Sequence, residues 1–101
     1  MEPRIREKQT SKSREKFKEP EQFRVILLND DYTTMDFVVD VLMEIFHKSI
    51  EDASKIMLDV HKKGRGVVGV YTWDIAMTKT KQVHAAAEAN NFPLMCIMEP
   101  I

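Results

Sequence analysis

The feature that most constrains the fold is a short apolar run that stops abruptly at three polar residues. The run FRVILL, residues 23–28, is rich in β-forming side chains and predicts a buried strand. Asn29, Asp30 and Asp31 follow directly, and apolar residues then recur at helical spacing from Met35 onward. The chain must therefore pass from a buried strand into a helix within a few residues.

Two helices are predicted after this turn, each with recognisable ends. The first is expected to begin at Thr33 as N-cap, with Asp36 three residues later completing a capping-box pattern. The second is expected to begin at Ser49, with Asp52 as its partner, and to end at Gly64.

The rest of the chain predicts a second strand, a third helix and a third strand. The second strand covers residues 66–72 and contains Gly69, which suits close packing or a bulge. Thr72 is the expected N-cap of the third helix, and residues 93–99 form the last strand. The order β-α-α-β-α-β predicts a small single α+β domain, in which a three-stranded antiparallel sheet packs against three helices.

The first 20 residues differ from the rest of the chain in charge and in apolar content. Basic residues outnumber acidic ones there, and Ile5 and Phe17 are the only large aliphatic or aromatic side chains. Such a segment cannot bury enough surface to offset its ordering entropy. We therefore expect a flexible N-terminal extension over residues 1–20 and a folded domain over residues 21–101.

Composition argues against several classes of protein. The chain has 101 residues, 44% of them hydrophobic and 31% charged, which suits one globular domain. A net charge of -1 argues against a nucleic-acid surface, and no apolar run is long enough to span a bilayer. Cys96 is the single cysteine, so an internal disulfide is excluded, and a buried thiol in a cytoplasmic protein is expected.

The turn of Asn29, Asp30 and Asp31 allows three interpretations. It could be ordinary turn chemistry, in which these side chains bond to their own backbone. A calcium loop is disfavoured because the central glycine and closing glutamate of such loops are absent. The third interpretation is an amine site, because an ammonium group has three N–H donors and needs acceptors around it.

The second helix is relevant to the amine interpretation. Met57 and His61 are four residues apart and share a helix face, although a lone histidine there is more often a packed core residue. If the first two helices pack side by side, Met35 and Val38 would face Met57 and Val60. An apolar hollow with a polar rim would result.

Two catalytic interpretations are also open on the residues alone. Asp30, Asp31 and His61 could form an acid–base or metal-binding set, but no nucleophile or phosphate-binding glycine loop accompanies them. Paired aspartates at a strand end also occur in phospho-accepting receiver domains. This chain has too few predicted strands for that five-stranded fold.

Three segments together resemble the ClpS family, the N-end-rule adaptors of the ClpAP protease. They are VILLNDDYTTMDFVVDVL, LDVHKKGRGVVGVYT and PLMCIME, and the resemblance covers about residues 22–99 in order. It implies an adaptor without enzymatic activity that binds N-degrons beginning with Phe, Tyr, Trp or Leu. It also implies delivery to the N-terminal domain of the ClpA unfoldase. We expect a cytoplasmic monomer with no cofactor, no metal, and no nucleic-acid or membrane partner.

The resemblance also implies roles for individual residues. The α-amino group of the substrate would be bound by Asn29, Asp30 and His61. The first side chain would enter a pocket in which Met35 excludes β-branched residues, and which is lined by Asp31, Thr33, Met35, Val38, Met57, Val60 and Leu94. The unfoldase would contact Asp74 and Lys79.

The chain departs from the family pattern at three positions. Thr34 stands where proline is common, Asp74 replaces the usual glutamate, and Met77 replaces a polar or acidic residue. The last two departures lie on the expected unfoldase-facing surface and not in the pocket.

Overall fold

The computed structural model describes residues 20–101, and its order of elements is the predicted β-α-α-β-α-β. The elements are β1 (Gln22–Leu28), α1 (Met35–Glu44), α2 (Ile50–Lys63), β2 (Arg65–Thr72), α3 (Trp73–Ala89) and β3 (Met95–Pro100). The predicted extension lies outside the described residues except for residue 20. No helix in the described part of the chain is long and apolar enough to cross a membrane.

The strand β1 is the centre of the sheet and of the core. It pairs antiparallel with both β2 and β3, which gives the strand order β2-β1-β3 and confirms the predicted three-stranded antiparallel sheet. Val25, Ile26 and Leu27 are fully buried, as expected for the middle of a central strand. Val25 and Leu27 belong to the core cluster formed with the helices.

The predicted irregularity near Gly69 is a bulge in β2. Val25 pairs with Gly69, whereas the next residue of β1, Ile26, pairs with Val67, so that β2 contains one extra residue. A Cβ atom at Gly69 would lie 2.9 Å from the hydroxyl oxygen of Tyr71. Gly69 therefore lies at the bulge and packs closely against the Tyr71 side chain.

The N-cap of α1 is Thr34, so the predicted cap at Thr33 is wrong by one residue. The Thr34 hydroxyl oxygen accepts a hydrogen bond from the Phe37 backbone N–H, with an N–O distance of 3.1 Å. The Thr33 side chain is instead directed at Asp30, where its hydroxyl donates to a carboxylate oxygen 2.7 Å away. The turn before the helix thus decides which of the two threonines caps it.

The other predicted helix ends are found where expected. Ser49 caps α2 by accepting from the backbone N–H of Asp52 at 3.1 Å. Gly64 ends the same helix in the left-handed conformation, with φ of 89°, which suits a residue without a Cβ. Thr72 is the N-cap residue of α3, but its side chain makes no cap hydrogen bond.

The C-terminal end of α1 is bound by a lysine from α3. The last turn of α1 contains no basic residue. The ammonium group of Lys79 donates to the carbonyl oxygen of Ile45, the C-cap of α1, at 2.6 Å. A positive charge at this end of a helix interacts favourably with the helix dipole, so Lys79 joins α3 to α1.

The single cysteine is buried, as predicted. Cys96 lies in β3 and is 2% exposed. Burial raises the pKa of its thiol to about 11, and contact with the Thr80 hydroxyl acts in the opposite direction. The thiolate is therefore scarce at neutral pH, and the residue packs as a small apolar side chain.

We predict that the two helix-capping threonines differ in their contribution to stability. Thr34→Ala should lower the free energy of unfolding by about 1 kcal/mol, because the Phe37 N–H loses its acceptor. Thr72→Ala is the matched control and should lower the free energy of unfolding by less, since the Thr72 side chain makes no cap hydrogen bond. Urea unfolding of both variants measures the difference, and equal losses would contradict a specific contribution from the Thr34 cap.

Candidate functional site

An open hollow of about 380 Å³ lies between the turn after β1 and the helices α1 and α2. It contains every residue predicted for the amine site and every predicted pocket residue except Leu94. Its walls are formed by Asn29, Asp30, Asp31, Thr33, Thr34, Met35, Val38, Met57, Val60 and His61.

Two residues differ from the expected set. Leu94 does not line the hollow; it is 3% exposed and belongs to the same core cluster as Val38 and Val60. Thr34 lines the hollow, although the sequence singled it out only as a departure from the family's proline. Its place between two expected lining residues, Thr33 and Met35, is the signal that could have identified it.

The Asp30 carboxylate organises the turn at the rim of the hollow. One of its oxygens accepts from the backbone N–H groups of Tyr32 at 2.8 Å and Thr33 at 2.7 Å. The other accepts from the Thr33 hydroxyl at 2.7 Å. The expected turn chemistry is therefore present, and it lies within the hollow and not apart from it.

These hydrogen bonds keep Asp30 charged. Burial alone would raise the pKa of the carboxyl group, but the Thr33 hydroxyl and the N–H groups of Thr33 and Tyr32 outweigh it. Together they hold the pKa of Asp30 below its ordinary value of 3.8. Because the charged form is favoured in the folded chain, it stabilises the turn at neutral pH. That contribution is lost as the pH falls below 3.8 through the lowered pKa.

The other two rim residues are close to the point where α2 ends. The backbone N–H of Asn29 donates to the carbonyl oxygen of Gly64 at 3.0 Å, which joins the turn to the end of α2. His61 lies in the last turn of that helix. The side chains of Asn29 and His61 are both exposed, so their polar atoms are accessible to a ligand.

The floor of the hollow is apolar and close-packed. Val38 from α1 and Val60 from α2 are 5% and 3% exposed. Gly66 permits this arrangement, because a Cβ there would lie 2.7 Å from a methyl carbon of Val60 and 3.0 Å from the carbonyl oxygen of Ile56. Close approach of α2 to β2 therefore sets the position of the Val60 wall.

The methionines of the hollow are more accessible than the valines. Met57 is half-buried and packs against the core cluster, whereas Met35 is 45% exposed at the start of α1. Methionine is flexible and polarizable, so these side chains can adjust to guests of different shape.

The predicted unfoldase contacts lie on a separate surface at the start of α3. Asp74 is exposed in the first turn of that helix, while Lys79 is half-buried against Ile45. Trp73 and Ile75, which flank Asp74, are 53% and 47% exposed. The sequence analysis did not select these two residues, although an aromatic residue next to a helix N-cap could have indicated an exposed binding surface. Exposed apolar residues around a charge are typical of a protein-binding surface.

Comparison with known proteins gives the same family over most of the described domain. A family profile described as "ATP-dependent Clp protease adaptor protein ClpS" matches residues 18–97. The adapter protein ClpS of Acetivibrio thermocellus is 61% identical over 84 residues, which are 83% of this chain and 85% of that protein. The ClpS of Syntrophus aciditrophicus is 60% identical over 87 residues, covering 86% of this chain and 81% of that protein.

A solved structure is also similar. It is that of Agrobacterium tumefaciens ClpS2 bound to L-phenylalaninamide, with 40% sequence identity and a TM-score of 0.80. The similarity covers 82% of this chain and 100% of that chain. The similarity therefore extends to a protein whose ligand is an amino acid amide.

We predict that the Thr33 hydroxyl is one cause of the low pKa of Asp30. Thr33→Val keeps the shape of the side chain but removes the donor, so the pKa of Asp30 should rise toward 3.8. An NMR titration of the Asp30 carboxyl carbon measures this value. Thr34→Val is the control, because the Thr34 hydroxyl contacts Phe37 and not Asp30. Equal shifts in both variants would contradict this assignment.

Proposed function

The chain belongs to the ClpS family of Clp protease adaptors, and on that premise we propose that its hollow binds the first residue of proteins selected for degradation. The proposed ligands are N-degrons, chains that begin with Phe, Tyr, Trp or Leu and have a free α-amino group. The adaptor delivers them to the ClpA unfoldase in the cytoplasm. It acts by binding alone, with no catalytic step of its own.

The observation that supports this proposal best is the combination of a polar rim and an apolar floor in one hollow. Asn29, Asp30 and His61 provide the acceptors at the rim, and Val38 and Val60 provide the floor. The N-terminal residue of a protein has the complementary chemistry, an ammonium group beside a side chain. An internal residue lacks the ammonium group, so requiring both contacts would select chain ends.

Counting acceptor positions explains why three rim residues are needed. A carboxylate has about four lone-pair positions, and the turn already occupies three of those on Asp30. About one position therefore remains for the substrate amine. An ammonium group has three N–H donors, so the Asn29 side-chain oxygen and a His61 ring nitrogen would accept the other two. Because Asp30 is ionised at neutral pH, its bond to the amine would be charge-assisted.

The apolar floor supplies only part of the binding free energy. Burying a Phe or Leu side chain contributes ~1.5–3 kcal/mol, whereas a micromolar complex requires ~8 kcal/mol. The remainder must come from the rim and from bonds to the first peptide units. The ligand of the Agrobacterium tumefaciens relative, L-phenylalaninamide, combines a free amine with an aromatic side chain, which are the two groups that the proposed site would contact.

We propose further roles for single residues. Met35, exposed at the mouth of the hollow, would exclude first residues that branch at Cβ. Leu94 would support the floor from the core, next to Val38 and Val60, and not by lining the hollow. Asp74 and Lys79 would contact the N-terminal domain of ClpA, together with the exposed Trp73 that precedes Asp74.

We predict that binding requires both the free amine and an unbranched first side chain. Labelled peptides that begin with Phe or Leu should bind. A peptide that begins with Ile should bind at least about tenfold more weakly, because its branched side chain would collide with Met35. An N-acetyl-Phe peptide should be weakened by a similar factor, because it leaves rim acceptors unpaired. Fluorescence anisotropy measures all four affinities.

Variants of the rim complete this experiment. Asp30→Ala and His61→Ala should each lose binding of the Phe peptide, whereas Asp36→Ala should not. Asp36 is a suitable control because it is an exposed carboxylate of α1 that does not line the hollow. Normal binding by both rim variants, or equal binding of all four peptides, would contradict the proposed function.

We predict that unfoldase delivery depends on the start of α3 and can be separated from peptide binding. Asp74→Lys reverses an exposed charge, so it should weaken binding to the ClpA N-terminal domain and slow degradation of a reporter with N-terminal Phe. Peptide affinity should be unchanged, because Asp74 lies outside the hollow.

The control for this prediction is Glu88→Lys, the same charge reversal at an exposed position near the other end of α3. Lys79 is less suitable for the test, because its variants would also break the bond to Ile45 that joins α3 to α1. Unchanged ClpA binding by Asp74→Lys would place the unfoldase contact elsewhere.

A further inference from the structure

One wall of the hollow is formed by a methionine that solvent can reach. Met35 is 45% exposed, is the first residue of α1 and lines the hollow. Met57, the other methionine of the hollow, is half-buried and packs against the core cluster. Exposure makes the thioether of Met35 the more accessible of the two to a small oxidant.

We propose that Met35 is a modification site, at which hydrogen peroxide converts the thioether to a sulfoxide and thereby blocks binding of apolar first residues. This inference depends on the proposed function of the hollow. It adds a redox-controlled state to that site, and the reversible chemistry of methionine sulfoxide would allow the adaptor to recover.

The reaction is a two-electron oxygen transfer. A lone pair on the Met35 sulfur attacks one peroxide oxygen, so that an S–O bond forms while the O–O bond breaks. The sulfur loses two electrons and the peroxide gains them, and the departing oxygen takes up a proton to leave as water. Solvent can supply and accept the protons because the side chain is exposed.

The product is poorly matched to its surroundings. The sulfoxide oxygen is a strong hydrogen-bond acceptor, and the side chains that line the same hollow include the carboxylates of Asp30 and Asp31, which are also acceptors. The Thr33 hydroxyl already donates to Asp30. An apolar guest has no hydrogen-bond donor, so a guest that packed against the oxidised Met35 would remove water from a polar group without itself replacing the lost hydrogen bonds.

The chain contains matched methionines for comparison. Met43 is 37% exposed on α1, and Met95 is 50% exposed on β3. Neither lines the hollow. Both should be oxidised about as readily as Met35, but their sulfoxides would lie on free surface and leave binding unchanged.

The test compares affinity for a Phe-initiated peptide before and after treatment of the full chain with hydrogen peroxide. Mass spectrometry of proteolytic fragments identifies which methionines have gained oxygen. Wild type, Met43→Leu and Met95→Leu should each lose affinity about tenfold after treatment. The Met35→Leu variant is compared with its own untreated sample and not with wild type. The ratio of its affinities before and after treatment should stay close to one. Methionine sulfoxide reductases should restore the wild-type affinity.

Several results would overturn the inference. The first is an unchanged affinity once Met35 is shown to be oxidised, and the second is an equal loss of affinity in Met35→Leu. The third is a Met35 that stays unoxidised at peroxide doses that oxidise Met43 and Met95. If oxidation lowers the urea midpoint of unfolding in parallel with the affinity, the loss of binding is caused by unfolding, and the inference is overturned as well. The untreated arm tests the proposed function separately, because untreated chain that fails to bind the Phe peptide refutes that function before any oxidation.

Discussion

The Asp30 carboxylate is the group on which the geometry of the hollow depends. Its three hydrogen bonds to Tyr32 and Thr33 turn the chain out of β1 and occupy the Thr33 hydroxyl. The next threonine, Thr34, caps the helix, and Met35 is the first residue of α1. The same bonds keep the carboxylate ionised, so one interaction both shapes the rim and supplies its negative charge.

A second set of contacts brings α2 to this turn. The Asn29 N–H binds the carbonyl oxygen of Gly64, where the left-handed glycine ends the helix. At the next glycine, Gly66, the absence of a Cβ allows Val60 to pack directly over β2. These backbone contacts hold His61 and Val60 opposite α1, so the hollow is a consequence of how the elements pack. Selectivity and susceptibility to oxidation would coincide at the exposed Met35 side chain.

Most of the fold could be predicted because its signals are local. Ser49 and Gly64 mark the ends of α2 through bonds within a few residues, and both predictions are confirmed. The choice between Thr33 and Thr34 could not be made this way. Either threonine can cap a helix, and the turn formed by Asp30 decides between them. Leu94 shows a different difficulty. The predicted strand over residues 93–99 includes it, whereas the observed strand begins at Met95. An apolar residue there fits a pocket wall and a core position equally well, and only packing distinguishes the two.

The sequence by itself determined the order of the elements, the residue types available at the rim and the membership of the ClpS family. These properties depend on apolar periodicity, on capping patterns within four residues and on motifs that are contiguous in the chain. Only the tertiary structure decided that Leu94 lies in the core and not in the wall of the hollow, that Lys79 is bound to the end of α1, and that Met35 is open to solvent. The physical reason is that such contacts join residues from separate elements, whose distances depend on how the helices pack against the sheet.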